Sequence, residues 1–361
     1  MPATVIPVAA ASRRYPVHVG AGLLAQLGGR LDEAGIGGQR IVVSSPTVWR
    51  AHGETAAGAL GNEEPILVPD GERSKTASTV ARIHDALIRL AADRSVTIVA
   101  IGGGVIGDVV GFAAATYLRG VGLVHVPTTL LAQVDSAIGG KVGINHPLGK
   151  NLIGAFHQPL AVFADPEVLG TLARREFRAG LYEVVKYGVI ADRGLFERVG
   201  RDLRAIVRRE QEALAPVIAD SCRIKAQVVS EDERESGLRR ILNFGHTAGH
   251  AIEAVTKYRR FRHGEAVAYG MLAVADLAVR RGIFAEEERS ALAELIARLG
   301  PLPSVSDLSA QALVEAMRRD KKVRQGRLHV VLPTRIGATR IVDDVTDDEF
   351  ARSLCALGIR P

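Results

Sequence analysis

The sequence predicts an α/β domain followed by a mostly α-helical domain, and three observations support this division. Short runs of β-branched residues alternate with helical patterns in the first half, a glycine-rich turn follows one of these runs, and long amphipathic helical patterns take over after about residue 166. A chain of 361 residues is also more typical of two domains than of one. We place the boundary between residues 168 and 169, so that the predicted domains are 1–168 and 169–361.

The first half is predicted to form a mostly parallel sheet. Four apolar runs are typical of buried strands: Arg40–Ser44, Pro65–Val68, Val96–Ile101 and Gly122–Val126. Between the second and the third, Ser78–Ala92 places its apolar residues on one face of a helix. Because strands and helices alternate, we expect helices to cover the sheet.

The second half is predicted to be helical. Its amphipathic patterns cover Leu181–Ile190, Ala213–Glu231, Thr247–Thr256, Glu265–Gly282 and Glu286–Leu299. Leu328–Leu332 is a short β-like run near the end. No internal repeat or low-complexity linker interrupts either half.

Composition excludes several classes of partner. The 46 basic and 40 acidic residues leave a net charge of +6, which is too small and too scattered for a nucleic-acid surface but suits an anionic small-molecule substrate. No apolar run reaches the ~20 residues of a membrane span, so we expect no membrane partner. Cys222 and Cys355 form no C-x-x-C pair, which is typical of a reducing, cytoplasmic location.

Lysine is rare in this chain, since only eight of the 46 basic residues are Lys. A lysine retained among so many arginines is a candidate for a position where a compact ammonium is needed. Six of the eight fall within the motifs described below: Lys75, Lys141, Lys150, Lys186, Lys225 and Lys321.

A glycine-rich turn, Gly102–Asp108, lies directly between the strand Val96–Ile101 and an apolar helical stretch, Val109–Leu118. The spacing is G-x-G-x-x-G, which lets backbone N–H groups approach a pyrophosphate at a helix N-terminus, as in Rossmann-like domains. The ribose-binding carboxylate expected about twenty residues further on is absent. The turn therefore predicts a nucleotide site of a non-standard kind, with a tight structural turn as the alternative.

Three histidines predict a metal site in the second half. His246 and His250 share a helix face at i and i+4, and with His263 and a carboxylate they would form a catalytic zinc site. The alternative is three buried core histidines. Spacing leaves open whether His250 is a ligand or transfers protons. Glu183 and Lys186, at i and i+3 on a mostly apolar helix, would supply the carboxylate or form half-exposed scaffolding.

The run Asp135–Asn151 combines two lysines, an aspartate and two asparagines in a glycine-rich loop. This is the composition of an anion cradle, with an ordinary surface loop as the alternative. Asp70–Lys75 and Asp320–Lys322 are by themselves typical of a turn and of a solvated charge run.

Taken together, these segments resemble the 3-dehydroquinate synthase family of the sugar phosphate cyclases, in the family's order and over most of the chain. The long run Asp135–Asn151 and the stretch Asn243–His250 are the most specific matches. The resemblance implies an NAD-binding α/β domain, a helical metal-binding domain and a homodimer.

The resemblance also implies roles for individual residues. The implied zinc ligands are Glu183, His246 and His263, and cobalt suits the same ligands. The implied NAD contacts are Asp70, Glu72, Lys75, Gly104, Val105, Ile106, Gly107, Asp108, Thr128, Thr129, Lys141, Lys150 and Thr171. The implied catalytic residues are Asp135, Lys141, Lys186, Asn243 and His250. The implied substrate contacts are Arg119, Lys150, Asn151, Lys225, Arg239 and Lys321. Among these, Lys225 and Arg239 would hold a carboxylate, and Arg119 would reach a neighbouring subunit's site.

The implied activity is that of a lyase that uses NAD without consuming it. The expected substrate is a sugar-acid phosphate, 3-deoxy-D-arabino-heptulosonate 7-phosphate, and the products are 3-dehydroquinate and phosphate. A sister sugar phosphate cyclase, a metal-dependent NAD polyol dehydrogenase and a catalytically silent binding protein are the alternatives. Tyr182, Ala137 and Val142 depart from the family's commoner residues, and Tyr182 raises the question of packing around Glu183.

Overall fold

The computed structural model describes residues 3–61, 64–319, 323–324 and 327–361. The chain forms two compact units, one of residues up to Ala173 together with Arg209–Arg234, the other of Arg174–Arg208 and Glu235–Pro361. The first is α/β and the second mostly helical, which confirms the predicted fold class.

The first unit is built on a twisted sheet of seven strands. Its strands are β1 (Thr4–Ala9), β2 (Arg14–Val19), β3 (Arg40–Ser44), β4 (Ile66–Leu67), β5 (Thr97–Gly102), β6 (Gly122–Pro127) and β9 (Ala161–Ala164). A separate hairpin consists of β7 (Lys141–His146) and β8 (Gly149–Phe156). The order across the sheet is β1-β2-β9-β6-β5-β3-β4, in which the β1–β2 pair is antiparallel and every other pair is parallel.

The strand order places a topological switch point between β3 and β5. From β3 the chain first adds β4 on one side and then returns to add β5, β6 and β9 on the other. In open parallel sheets, ligands bind outside the carboxyl ends of the strands at such a reversal. The glycine-rich turn follows β5 and lies at this edge of the sheet.

Both faces of the sheet are buried because alternate residues of β5 enter different cores. Ile98 and Ala100 pack with helices α3 (Ala77–Arg89) and α4 (Gly104–Thr116). Val99 and Ile101 pack with α1 (Leu27–Glu33) and α2 (Pro46–Leu60) on the other side. This is why β5 is apolar throughout rather than alternating. The predicted strands and the helix over 78–92 are confirmed, with ends that differ by no more than three residues.

A long helix from the middle of the chain, Gln211–Glu231, also belongs to the first unit. It packs against β1, β2 and the short π-helix Ala132–Ser136. A single boundary near residue 168 does not describe this arrangement, because the amphipathic pattern shows that a helix has an apolar face without showing which core buries it.

The run Asp135–Asn151, predicted as a glycine-rich loop, is mostly regular structure. It comprises the end of the π-helix, the strand β7, a tight turn and the start of β8. The prediction of a loop was wrong because these glycines belong to a hairpin. Gly139 and Gly140 have positive φ and lie just before β7, and Gly143 and Gly154 face each other across the two strands. A Cβ at Gly143 would lie 2.6 Å from the Ile153 carbonyl oxygen, so the close approach of the two strands requires glycine there.

The second unit is a helical bundle. With the long helix of the first unit, Gln211–Glu231, named α8, the helices of the second unit are α5 (Arg174–Ala191), α6 (Arg193–Arg201), α7 (Leu203–Val207), α9 (His246–Val255), α10 (His263–Arg280), α11 (Glu286–Leu299), α12 (Ala310–Arg318) and α13 (Asp347–Cys355). Its strands are β10 (Val323–Arg324), β11 (Arg327–Leu328), β12 (Val330–Arg335) and β13 (Ala338–Val342). Among the described residues, no helix is long and apolar enough to cross a bilayer.

Glycines allow α5, α9 and α10 to pack closely. A Cβ at Gly264 would lie 1.9 Å from the Ala179 carbonyl oxygen, and one at Gly270 would lie 1.8 Å from that of Gly245. Helix α10 therefore approaches both α5 and the start of α9 at backbone contact. Glu183, His246 and His263 all lie on these three helices.

Candidate functional site

The first unit carries the predicted nucleotide site at the carboxyl end of β5. Gly103 is the N-cap of α4 and provides no side chain to cap its first N–H groups. A Cβ at Gly103 would lie 2.8 Å from Thr129 Cγ2, so the chain packs tightly there. Thr128 follows β6 and donates its backbone N–H to the Gly102 carbonyl, at 3.0 Å. Backbone donors at a helix N-terminus suit a phosphate group.

A buried lysine lies beside this turn. Lys75 Nζ donates to Asp108 Oδ2 at 2.6 Å and to Asn151 Oδ1 at 2.5 Å. Burial raises the pKa of Asp108 to about 6, and the nearby Lys75 ammonium opposes that rise. The predicted NAD contacts Lys75 and Asp108 are therefore brought together with Asn151, a predicted substrate contact.

Glu72 joins the same cluster from the other side. Its Oε1 accepts from Asn145 Nδ2 at 2.8 Å and lies 3.6 Å from Lys150 Nζ. Lys75 Nζ is 4.0 Å from the same oxygen. The structure thus brings the Asp70–Lys75 turn and the β7–β8 hairpin together, although the turn ends at residue 75 and the hairpin begins at residue 141.

Two other predicted NAD contacts lie at the edge of this region. Asp70 Oδ2 accepts from Thr47 Oγ1 at 2.8 Å, close to the start of α2. Thr171 Oγ1 is hydrogen-bonded to His52 Nε2 at 2.9 Å. Gly104, Val105, Ile106 and Gly107 form the first turns of α4.

Asp135 and Lys225 form a second ion pair in the first unit. Lys225 Nζ, buried on α8, donates to Asp135 Oδ1 of the π-helix at 2.6 Å. Lys141, at the start of β7, is exposed. Arg119 is exposed as well and has φ of +71, next to Leu118 with φ of +46. A pair of left-handed residues other than glycine is unusual and directs the chain sharply out of α4.

In the second unit, one carboxylate oxygen faces two histidines. His246 Nε2 lies 3.6 Å and His263 Nε2 lies 3.5 Å from Glu183 Oε1. Two ligands of one tetrahedral zinc ion, each about 2.0–2.2 Å from the metal, lie roughly 3.3–3.6 Å apart. The three side chains therefore have the separations of a ligand set.

The orientation of both histidines leaves Nε2 as the ligand atom. His246 Nδ1 lies 3.1 Å from the Phe244 carbonyl oxygen, and His263 Nδ1 lies 3.2 Å from Glu253 Oε2. Because a carbonyl and a carboxylate accept hydrogen bonds, each Nδ1 carries the proton and each Nε2 has its lone pair available. Hydrogen bonds of this kind orient metal-binding histidines in many proteins.

The carboxylate of Glu183 fits a metal ligand in its burial as well. Both of its oxygens are buried and accept no hydrogen bond from the described residues, although the Lys186 ammonium lies against Oε2 as an ion pair. Leaving carboxylate oxygens buried without hydrogen bonds is costly, and a divalent cation would compensate for that cost.

His250 lies near the same point. Ligand atoms of His246, His250 and His263 all lie within 4.8 Å of one another. The ring centroids of His250 and His246 are 5.4 Å apart, and those of His250 and His263 are 5.8 Å apart. This geometry admits His250 either as a ligand or as a neighbour of the bound ion, so its predicted non-ligand role stays a prediction.

Three other predicted residues of the second unit are placed as follows. Arg239 is buried in the turn Leu238–Asn243, and Asn243 Nδ2 donates to Glu235 Oε1 at 2.7 Å. Tyr182 is fully buried and donates its hydroxyl to the Gly300 carbonyl at 3.4 Å, so it packs away from the carboxylate of Glu183. Burial raises the pKa of Tyr182 to about 12. Lys321, with the rest of Asp320–Lys322, lies outside the described residues.

Several supporting contacts were not predicted from the sequence. Asn145, Glu235 and Glu253 each hold a predicted site residue, and Glu265 accepts from Arg175 Nε at 2.7 Å and from the Arg262 backbone N–H at 2.8 Å. The latter contacts secure the first turn of α10, which begins at His263. Each is an Asn or Glu within or beside a recognised motif. Its position in the sequence suggests a supporting role, but only the tertiary contacts show which residue it supports.

Comparison with known proteins places the chain in a class and then in a family. It resembles the sugar phosphate cyclase 2-epi-5-epi-valiolone synthase from Streptomyces hygroscopicus subsp. jinggangensis 5008, solved with NAD⁺ and Zn²⁺ bound, at a TM-score of 0.87 and 30% identity over 95% of this chain and 96% of that one. It also resembles 2-deoxy-scyllo-inosose synthase complexed with carbaglucose-6-phosphate, NAD⁺ and Co²⁺, at a TM-score of 0.86 and 29% identity over 97% and 99% of the two chains. The fold is therefore that of the sugar phosphate cyclases.

The sequence comparison is more specific. Residues 65–179 match the family described as 3-dehydroquinate synthase N-terminal, and residues 180–323 match the one described as 3-dehydroquinate synthase C-terminal. A 3-dehydroquinate synthase of Synechococcus sp. (strain CC9605) is 48% identical over 97% of this chain and 96% of its own length. The chain belongs to the 3-dehydroquinate synthase family.

Proposed function

We propose that this chain converts 3-deoxy-D-arabino-heptulosonate 7-phosphate into 3-dehydroquinate and inorganic phosphate, as a carbon–oxygen lyase of the shikimate pathway and thus of aromatic amino acid and chorismate biosynthesis. The observation that carries the proposal is 48% identity to a 3-dehydroquinate synthase over nearly the whole chain. The metal-ligand separations around Glu183 and the cluster around Lys75 support it independently.

NAD and a divalent metal, zinc or cobalt, are the proposed cofactors, since the related cyclases bind NAD⁺ with Zn²⁺ or Co²⁺. When bound, NAD⁺ accepts and later returns a hydride, and the metal polarises the hydroxyl that is oxidised. The first turns of α4 and the turn Glu72–Lys75 would hold NAD. Glu183, His246 and His263 would hold the metal through Oε1 and the two Nε2 atoms.

The remaining residues would bind the substrate and move its protons. Lys141, Lys150, Asn151 and Lys321 offer cations and an amide to the phosphate, which favours charge-assisted hydrogen bonds. The planar guanidinium of Arg239 suits a carboxylate, and Lys225 adds an ammonium that Asp135 orients. His250, beside the proposed ligand histidines, would accept or donate a proton at a ring nitrogen. Asn243 and Lys186 would orient the substrate groups that exchange this proton.

The sister cyclases are the nearest alternative. They share the fold at 29–30% identity, whereas the 3-dehydroquinate synthases reach 44–48%. Lys225 and Arg239 together favour a substrate that bears a carboxylate, and the phosphate-binding residues argue against a plain polyol dehydrogenase.

A direct assay tests this function. The metal-loaded protein is incubated with NAD⁺ and the heptulosonate phosphate, and phosphate, dehydroquinate and NADH absorbance are followed. We expect phosphate and dehydroquinate in equal amounts without net NADH. Steady accumulation of NADH would indicate a dehydrogenase, and turnover of sedoheptulose 7-phosphate in place of the acid would indicate a sister cyclase.

We also propose a homodimer that forms through the β7–β8 hairpin of a second copy. Four successive residues in the middle of β8, positions 151–154, are exposed, and they include Leu152 and Ile153. Arg119 lies two residues before Val121, whose backbone carbonyl is hydrogen-bonded to His157 just after β8. An exposed apolar strand in a two-stranded sheet invites pairing with another chain.

Changing one apolar residue of this strand tests the dimer. We expect Ile153→Lys, at a position 41% exposed, to produce monomers in light scattering after gel filtration. The matched control is Ile88→Lys on α3, which is 63% exposed and should leave the dimer intact. A dimer that survives Ile153→Lys, or that Ile88→Lys disrupts, would contradict this interface.

A cytoplasmic location is proposed as well. Both cysteines are free thiols, as is usual in a reducing compartment, and the described helices include none that could span a membrane.

A further inference from the structure

We propose that Asn145 is a positioning residue that couples the cofactor turn, Glu72–Lys75, to the phosphate turn, Lys150–Asn151. The inference rests on the proposed function, in which the first turn contacts NAD and the second contacts the substrate phosphate. Asn145 lies on β7, between them, and is half-buried. Beyond its membership of the predicted anion cradle, no individual role has been assigned to it.

Asn145 is hydrogen-bonded to the cofactor turn at two points. Its backbone N–H donates to the Lys75 carbonyl at 2.9 Å. Its side-chain Nδ2 donates to Glu72 Oε1 at 2.8 Å and lies 3.4 Å from the Glu72 carbonyl oxygen. Both ends of the turn are therefore held by this one residue.

The other half of the same amide holds the phosphate turn. Asn145 Oδ1 accepts the backbone N–H of Asn151 at 3.0 Å. Asn151 has φ of +53, a left-handed conformation that is unfavourable for residues with a Cβ and is best tolerated by Asn and Asp. The hydrogen bond from Asn151 to Asn145 stabilises this conformation, and Lys75 Nζ donates to the Asn151 side chain at 2.5 Å.

The two turns are thus connected through side chains rather than through the chain itself. Glu72 Oε1, which accepts from Asn145, also lies 3.6 Å from Lys150 Nζ. Binding of NAD, which would order Glu72 and Lys75, would therefore also order Lys150 and Asn151. An amide suits this position, because its NH₂ group donates to the Glu72 carboxylate while its oxygen accepts from the Asn151 N–H.

Swapping the donor and the acceptor of the Asn145–Glu72 hydrogen bond tests this coupling. Asn145→Asp places a carboxylate against that of Glu72, so we expect the KM for the heptulosonate phosphate and the Kd for NAD⁺ to rise about 10- to 100-fold. In the double variant Asn145→Asp with Glu72→Gln, the amide and the carboxylate have changed places and the hydrogen bond can form again. We expect the double variant to have a KM about tenfold below that of Asn145→Asp alone.

Gln227→Glu is the matched control. Gln227 is exposed on α8 and donates its amide to Glu231 Oε1 at 3.0 Å, so the same chemical change occurs away from both turns. Its KM and Kd should equal those of the unaltered protein. Calorimetry with NAD⁺, steady-state kinetics and metal content are measured for every variant, and metal content should not change.

Three results would overturn the inference. They are an unchanged KM in Asn145→Asp, a double variant whose KM is no lower than that of Asn145→Asp alone, and a loss of thermal stability without any change in KM or Kd. If the unaltered protein binds no NAD⁺ and does not turn over the heptulosonate phosphate, the proposed function itself fails, and this outcome is distinct from the other three.

Discussion

Replacing Glu183 or His246 by Ala is expected to remove the bound metal and reduce turnover below detection, whereas His250→Ala is expected to retain the metal. The reason is that Glu183 Oε1 lies 3.5–3.6 Å from both His263 Nε2 and His246 Nε2, the separations of ligands on one ion. Of the three proposed ligands, Glu183→Ala would leave only the two imidazoles, and His246→Ala would leave only the buried carboxylate and one imidazole. The metal content of purified protein, measured by mass spectrometry, distinguishes the two classes of variant.

His250→Ala should lower kcat by about 10²- to 10⁴-fold, the usual contribution of a proton-transfer residue. The cobalt-loaded variant should keep the visible absorption spectrum of the unaltered protein, because its ligand set is the same. His84→Ala is the control, since His84 lies on α3 and is hydrogen-bonded to the Ala113 carbonyl at 3.1 Å. If His250→Ala loses the metal as readily as His246→Ala, then His250 is a ligand and our assignment is wrong.

Gly264→Ala is expected to destabilise the second unit by at least about 3 kcal/mol and to weaken metal binding. A Cβ at this position would lie 1.9 Å from the Ala179 carbonyl oxygen, a backbone atom that cannot move aside without separating α5 from α10. Because these helices carry Glu183 and His263, their separation would increase the distance between the two ligands. Urea denaturation of the metal-free protein measures the stability, and metal titration measures the binding.

Gly200→Ala provides the comparison for this effect. Gly200 lies within α6, and its added Cβ would meet Leu295 Cδ1 at 3.9 Å, an ordinary van der Waals contact. Since Ala is favoured over Gly in a helix by roughly 0.5–1 kcal/mol, this variant should be as stable as the unaltered protein or slightly more so. Equal denaturation midpoints for Gly264→Ala and Gly200→Ala would show that the close approach of α5 and α10 does not limit stability.

The elements with a strong local signal were predicted well. The strands over 40–44 and 97–101 and the helices over 213–231 and 286–299 were all anticipated, because apolar periodicity reports directly on which face of an element is buried. The hairpin β7–β8 was not, because its glycines suggested a loop. Glycine is needed there for close approach of two strands, and that requirement is visible only when the partner strand is known.

The candidate site shows the same division. Residue type and spacing predicted a metal site, family resemblance implied Glu183, His246 and His263 as its ligands, and the structure adds that one carboxylate oxygen faces both imidazoles. Glu253 and Glu235 were not identified, because an isolated Glu on a helix or in a turn carries no signal until its partner is known. Their partners, His263 and Asn243, lie eight to ten residues away in the sequence.

The sequence by itself determined the fold class, the family, and the chemical types of the proposed ligands, since periodicity and motif spacing are local properties of the chain. Tertiary structure alone decided which side chains meet. It placed Lys75 against Asp108 and Asn151, assigned the helix 211–231 to the first unit, and made Asn145 a bridge between two turns. The physical reason is that hydrogen bonds and ion pairs act over about 3–4 Å, so residues distant along the chain interact only after packing has brought them together.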